Sequence, residues 1–65
     1  MENIIEGLQR ELERNREILG YYEEIPQGAF GAFSIKEKIK NGEDAINTGD
    51  TVKMIKAFKE LQETS

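Results

Sequence analysis

Three arginines and one asparagine fall within seven consecutive residues, at Arg10, Arg14, Asn15 and Arg16. A guanidinium group is a planar fork that donates two parallel hydrogen bonds to a phosphate or a carboxylate, so this group could form an anion site. Arg10 and Arg14 share one helix face but Arg16 points elsewhere, so a single helix cannot aim all three at one ligand, whereas a dimer could. The alternative is a solvated helix face of ion pairs.

Asn15 has two interpretations of its own. It is either a polar residue that sets the register of a helical seam or a hydrogen-bonding group inside a ligand pocket between helices.

Residues 28–33 read Gly-Ala-Phe-Gly-Ala-Phe and open the second predicted helix. Free backbone N–H groups at a helix start favour anions, and Phe30 and Phe33 lie off the apolar stripe, where they could stack on a base or contact a partner. The segment lacks the GK[ST] of a phosphate-binding loop and the spacing of a dinucleotide fingerprint. The alternative is tight packing against the first helix, with the phenylalanines closing a dimer interface. The predicted ligand-binding set is Arg10, Arg14, Asn15, Arg16, Tyr21, Gly28, Phe30, Gly31 and Phe33.

The residue types that are missing exclude much chemistry. The chain has no cysteine and no histidine, so a disulfide or a zinc site of the usual type cannot form and Ser34 has no histidine base. Glu23 and Glu24 offer a carboxylate pair but no positioned nucleophile accompanies them, so we expect no catalysis, metal or cofactor.

The charge pattern bears on partners. The formal net charge is −4, and residues 1–26 carry all of it, with seven acids against three arginines. Direct DNA binding is not expected, because phosphate neutralisation needs clustered Lys and Arg. Neither a basic start followed by an apolar run nor an apolar stretch of about 20 residues is present, so we expect no signal peptide and no membrane span.

The elements that must position these residues are helices. Apolar residues recur at 3.6-residue spacing over residues 2–24, which predicts one long amphipathic helix. Its stripe consists of Ile4, Ile5, Leu8, Leu12, Leu19 and Tyr22, with Asn15 in the middle. Ile25-Pro26 ends this helix at or before Glu24, because a residue before proline avoids the α region.

A second helix is predicted over residues 29–47 and a third over residues 51–62. Gly49 fits a left-handed position after the second helix, and Asp50 or Thr51 can cap the third. The short connection predicts an antiparallel hairpin. The fold class is therefore all-α, a single helical domain over residues 1–65.

The small size of the chain leads us to expect an oligomer. A chain of 65 residues buries only about 60% of its unfolded surface, and the stripe of the first helix looks too large for a short hairpin to cover. We therefore expect a second copy to cover part of that stripe, with function where this interface meets the turn at residues 26–33.

The segment at residues 13–31 (ERNREILGYYEEIPQGAFG) and the turn at residues 49–54 (GDTVKM) resemble a group of small proteins encoded by bacteriophages and prophages. The resemblance covers most of the chain. No established catalytic residues of that group are carried over. Small acidic phage proteins often bind and block a host defence component, so the resemblance implies a non-enzymatic counter-defence protein in the host cytoplasm.

Three functions are compatible with these patterns. In the first, a homo-oligomer sequesters a small anionic, nucleotide-like signal, with arginines and the amides of residues 28–32 on phosphate and Tyr21, Phe30 or Phe33 on the base. In the second, the acidic first helix inhibits a host defence complex, as anti-CRISPR proteins do by charge mimicry. In the third, the chain is a structural or assembly protein of the phage whose phenylalanines make only self-contacts.

Overall fold

The computed structural model describes residues 2–65, which form helices and no strand. Helix α1 spans Ile4–Glu24, α2 spans Ala29–Thr48 and α3 spans Thr51–Gln62. A single 3₁₀ turn, Pro26–Gly28, lies between α1 and α2. The all-helical prediction is confirmed.

Side-chain capping sets where α1 begins. Asn3 accepts a hydrogen bond from the backbone N–H of Glu6 at 2.9 Å, so the first helical residue is Ile4 and not residue 2. This bond satisfies one of the N–H groups that a helix start leaves without an intrahelical partner.

The turn from α1 to α2 follows from proline. Ile25 has φ −101° and ψ 124°, the extended conformation that a residue before proline adopts. The backbone N–H of Gly28 then donates to the Ile25 carbonyl at 2.9 Å, which closes the 3₁₀ turn and points the chain into α2.

The turn from α2 to α3 uses the two residues between the helices. Gly49 has φ +70°, a left-handed conformation that an L side chain would strain, and its N–H donates to the carbonyls of Ala45 and Ile46. The side chain of Asp50 accepts from the N–H of Lys53 at 3.2 Å, so Asp50 and not Thr51 is the N-cap.

Each helix packs against the other two, and one apolar cluster lies between them. Its buried members are Leu8, Leu12, Ile35, Ile39, Ala45, Met54, Ala57 and Leu61. The side chains of Leu12 and Leu61 both reach Gly42, where a Cβ atom would lie 2.8 Å from Leu12. The space that Gly42 leaves is thus filled by side chains and not by another helix backbone.

α2 and α3 together cover most of the α1 stripe. Leu8, Leu12 and Asn15 are buried, Ile4, Leu19 and Tyr22 are half-buried, and Ile5 is 42% exposed. Both α2 and α3 lie against α1, so the coverage is shared between two helices. The second copy expected over part of this stripe stays a prediction.

Two ion pairs fix how α2 returns along α1. Lys36 lies 3.3 Å from Glu23, and Arg16 lies 2.8 Å from Glu43. Within residues 2–65, no helix has both the length and the apolar character needed to cross a bilayer.

Candidate functional site

Arg14 and Asn15 hold the carboxyl-terminal end of α3. Arg14 donates to the carbonyls of Leu61 at 2.8 Å and Thr64 at 3.0 Å, and the Asn15 amide donates to the Leu61 carbonyl at 3.1 Å. The last carbonyls of a helix lack intrahelical partners and carry partial negative charge. The guanidinium fork that suits a phosphate is thus used on backbone oxygens.

Glu11 completes this arrangement. Its carboxylate is 7% exposed and accepts from Arg14 at 3.0 Å, which offsets the cost of burying a charge. The Asn15 amide also donates to the Glu11 carbonyl at 2.8 Å, while the Asn15 side-chain oxygen, fully buried, has no hydrogen-bond partner within residues 2–65. We call Glu11, Arg14 and Asn15 the α3 clamp.

The other two arginines differ in how close they come to the clamp. Arg10 donates to both carboxylate oxygens of Glu2 and also lies 4.0 Å from the Glu11 carboxylate. Arg16 donates to Glu43 on α2 at 2.8 Å. Arg10 and Arg14 therefore meet at Glu11, whereas Arg16 is turned towards α2. Within one chain, the predicted arginine group is not a single anion site.

Gly28 and Gly31 make room for Tyr22. A Cβ atom on Gly28 would lie 2.2 Å from the Tyr22 carbonyl oxygen, and one on Gly31 would lie 2.3 Å from the Tyr22 ring. No heavy atom fits at such distances, so both glycines are required by packing against α1. The N–H of Gly28, one of the amides of residues 28–32 that were expected to face phosphate, is already bonded to the Ile25 carbonyl.

Phe30 and Phe33, near the start of α2, are both exposed. Phe30 is 92% exposed and Phe33 is 66% exposed, and Ile25, at 52%, lies beside the same open cleft as Phe33. Ala29 lines this cleft and also contributes to the apolar surface formed with Phe30 and Phe33. We call Ile25, Ala29, Phe30 and Phe33 the aromatic ledge. Its exposure agrees with the prediction that both phenylalanines point away from the stripe.

Charged groups border the ledge on one side. Glu23 and Lys36 line the cleft beside Phe33 and pair with each other at 3.3 Å, with about half of each side chain exposed. Tyr21 is 67% exposed but is not among the described residues that line this cleft.

The predicted site residues therefore do not form one site: Arg14 and Asn15 belong to the clamp, Phe30 and Phe33 belong to the ledge, and Arg10, Arg16 and Tyr21 lie outside both. Arg14 lies eight residues before Tyr22 on α1, which is about 12 Å along the helix, and the ledge begins beyond Tyr22. Within residues 2–65, no group of three His, Cys, Asp or Glu residues is arranged to hold a metal ion. What the ledge offers is apolar contact beside one carboxylate and one ammonium group.

Glu11 was not predicted as a structural partner, although its i,i+3 spacing to Arg14 was a usable signal. The carbonyls of Leu61 and Thr64 gave no such signal, because they lie about fifty residues further along the chain.

No protein-family model, curated protein or solved structure matches this chain in the comparisons.

Proposed function

We propose that this chain is a non-enzymatic binding protein that contacts another protein through the aromatic ledge. The observation that carries the proposal is the exposure of Phe30, at 92%, next to Phe33. Aromatic side chains are enriched at the centres of protein interfaces, and a contiguous exposed apolar patch marks an interaction site more often than a scattered residue does. The helices themselves, with α2 and α3 as an antiparallel hairpin, act as the scaffold that presents the ledge.

The acidic outer face of α1 favours a partner protein that carries basic groups beside an apolar pocket. Glu6, Glu13, Glu17 and Glu24 recur at spacings of seven, four and seven, so they share the face opposite the core. All four are exposed, and none pairs with a basic group within residues 2–65. This arrangement favours an acidic inhibitor that occupies a protein surface.

A second candidate function is sequestration of a small anionic, nucleotide-like signal by a homo-oligomer. The observation in its favour is that Phe33 and Lys36 line one cleft, where a ring could stack and an ammonium could meet phosphate. It ranks second because Lys36 is paired with Glu23 and every arginine has an intramolecular partner.

The setting of both candidates comes from the resemblance to phage proteins. We propose that the chain acts in the host cytoplasm against a component of host defence, by occupancy and without chemistry.

Photo-crosslinking tests the protein-binding proposal at the site itself. Benzoyl-phenylalanine in place of Phe33 should yield protein adducts in the host cell, and the same group in place of Val52, which is 61% exposed elsewhere on the molecule, is the matched control. We expect adducts from position 33 that disappear when Phe30→Ser is added.

Isothermal titration with a panel of nucleotides and cyclic dinucleotides separates the two candidates. Nucleotide binding that is lost in Phe33→Ser, with no protein adduct, would favour sequestration. Absence of both adducts and binding would refute a binding role for the ledge.

A further inference from the structure

We propose that the occupant of the aromatic ledge is a second copy of this chain, in a two-fold symmetric dimer. This inference rests on the protein-binding function proposed above and names the occupant of the ledge alone; the basic partner inferred for the outer face of α1 is a different protein. It also moves the self-association surface from the α1 stripe, most of which α2 and α3 cover, to the turn between α1 and α2.

The exposed apolar area of the ledge is large enough for a small dimer interface. The uncovered parts of Phe30, Phe33 and Ile25 amount to roughly 400 Å² per copy, since an aromatic side chain presents about 150–250 Å². Two such ledges in contact bury roughly 800 Å², and the bordering residues of the cleft raise the total to about 1,000 Å², the lower bound for a specific interface. The area therefore fits a small, reversible dimer.

The charged groups beside the ledge can pair between two copies. Glu23 and Lys36 give each copy one carboxylate and one ammonium group at the edge of the cleft. A two-fold axis places the same patch on both partners, so a border of both signs is complementary to itself. In such a dimer Glu23 of one copy can face Lys36 of the other, and no charge is left opposite a like charge.

Residues 63–65 are not among the residues that line the cleft or the ledge. They contact Arg14 and Lys38 through Thr64, and the Tyr22 hydroxyl donates to the Ser65 carbonyl at 3.4 Å. Within residues 2–65 the ledge therefore has no intramolecular cover, and a second copy supplies the apolar surface that this small domain lacks.

Sedimentation velocity over a range of concentrations tests the dimer. We expect the native chain to shift from its mass of 7.4 kDa towards twice that value as concentration rises. Phe30→Ser should raise the dissociation constant at least ~10-fold, as truncation of a central aromatic does in other interfaces. Val52→Ser, which also removes an exposed apolar side chain, should leave the dissociation constant unchanged. A native chain that stays monomeric at millimolar concentration, or a Phe30→Ser variant that dimerises as well as the native chain, would overturn the proposal.

Mixing two charge variants separates a second copy from an unrelated partner. Glu23→Lys gives two ammonium groups at the border and Lys36→Glu gives two carboxylates, so each variant alone should dimerise more weakly than the native chain. An equimolar mixture should form a heterodimer more tightly than either variant forms a homodimer. Failure of the mixture to associate would reject self-recognition at this border. Crosslinks from position 33 to a different protein, together with that failure, would leave the protein-binding function intact and reject only this partner.

Discussion

Replacing Arg14 with methionine removes the central member of the α3 clamp while keeping most of the apolar stem. The change deletes two charged hydrogen bonds to the carbonyls of Leu61 and Thr64 and removes the nearer of the two guanidinium groups beside the buried Glu11 carboxylate, which leaves Arg10 at 4.0 Å. Breaking a buried ion pair from one side costs about 3–5 kcal/mol. The Arg14 side chain is 39% exposed, so water and salt already screen part of that interaction, and we expect a loss of about 2–3 kcal/mol.

A loss of this size is large for this chain. Domains of this length have unfolding free energies of about 3–10 kcal/mol, and each kcal/mol corresponds to roughly 4–8 °C in Tm. Arg14→Met should therefore lower the midpoint of thermal unfolding, followed by circular dichroism at 222 nm, by roughly 10–20 °C.

The matched control is Arg16→Met, since Arg16 pairs with Glu43 where both side chains are about half exposed. An exposed pair contributes little, so this variant should unfold within about 1 kcal/mol of the native chain. Adding Glu11→Gln to Arg14→Met should recover part of the loss, because the buried charge is gone. Equal stabilities for Arg14→Met and Arg16→Met would refute the assignment of the clamp as a structural element.

The remaining predictions concern helix positions and are measured by urea unfolding. Gly31→Ala should destabilise the chain by about 1–3 kcal/mol, because the added methyl group would overlap the Tyr22 ring. Gly20→Ala should stabilise it by about 0.5–1 kcal/mol, since a Cβ atom there meets nothing within 4 Å. A less stable variant would contradict the open space at this position. Asp50→Ala should lose about 1 kcal/mol with the cap on the N–H of Lys53, and Asp50→Asn, which keeps an accepting oxygen, should not.

The helical architecture was predictable because its signals are local. Proline fixes the end of α1, glycine fixes the left-handed turn after α2, and apolar spacing shows which face of each helix is buried. The choice between Asp50 and Thr51 as the cap is settled by the backbone, since Asp50 is extended and Thr51 is the first helical residue.

The role of the arginines was not predictable, because their partners are distant in sequence. Spacing shows that Arg14 lies on the edge of the α1 stripe, but only the packing of α3 brings the Leu61 carbonyl to its guanidinium. The same holds for the stripe itself, since its coverage depends on α2 and α3 lying side by side. Phe30 and Phe33 were identified correctly as off-stripe residues, because helical periodicity alone places them there.

In the α3 clamp, the α3 carbonyls and a free anion would compete for the guanidinium group of Arg14. Its donors are occupied by α3 carbonyls, so a free anion can capture the guanidinium only by displacing the end of that helix. Since α3 has 12 residues, too few to persist alone in water, displacement at one end would release it as a unit. Phosphate bound at Arg14 should therefore weaken the protection of the α3 amides against hydrogen exchange. An anion bound elsewhere would leave that protection unchanged. Hydrogen exchange measured for each helix at increasing phosphate concentration thus shows whether Arg14 binds the α3 carbonyls or the anion.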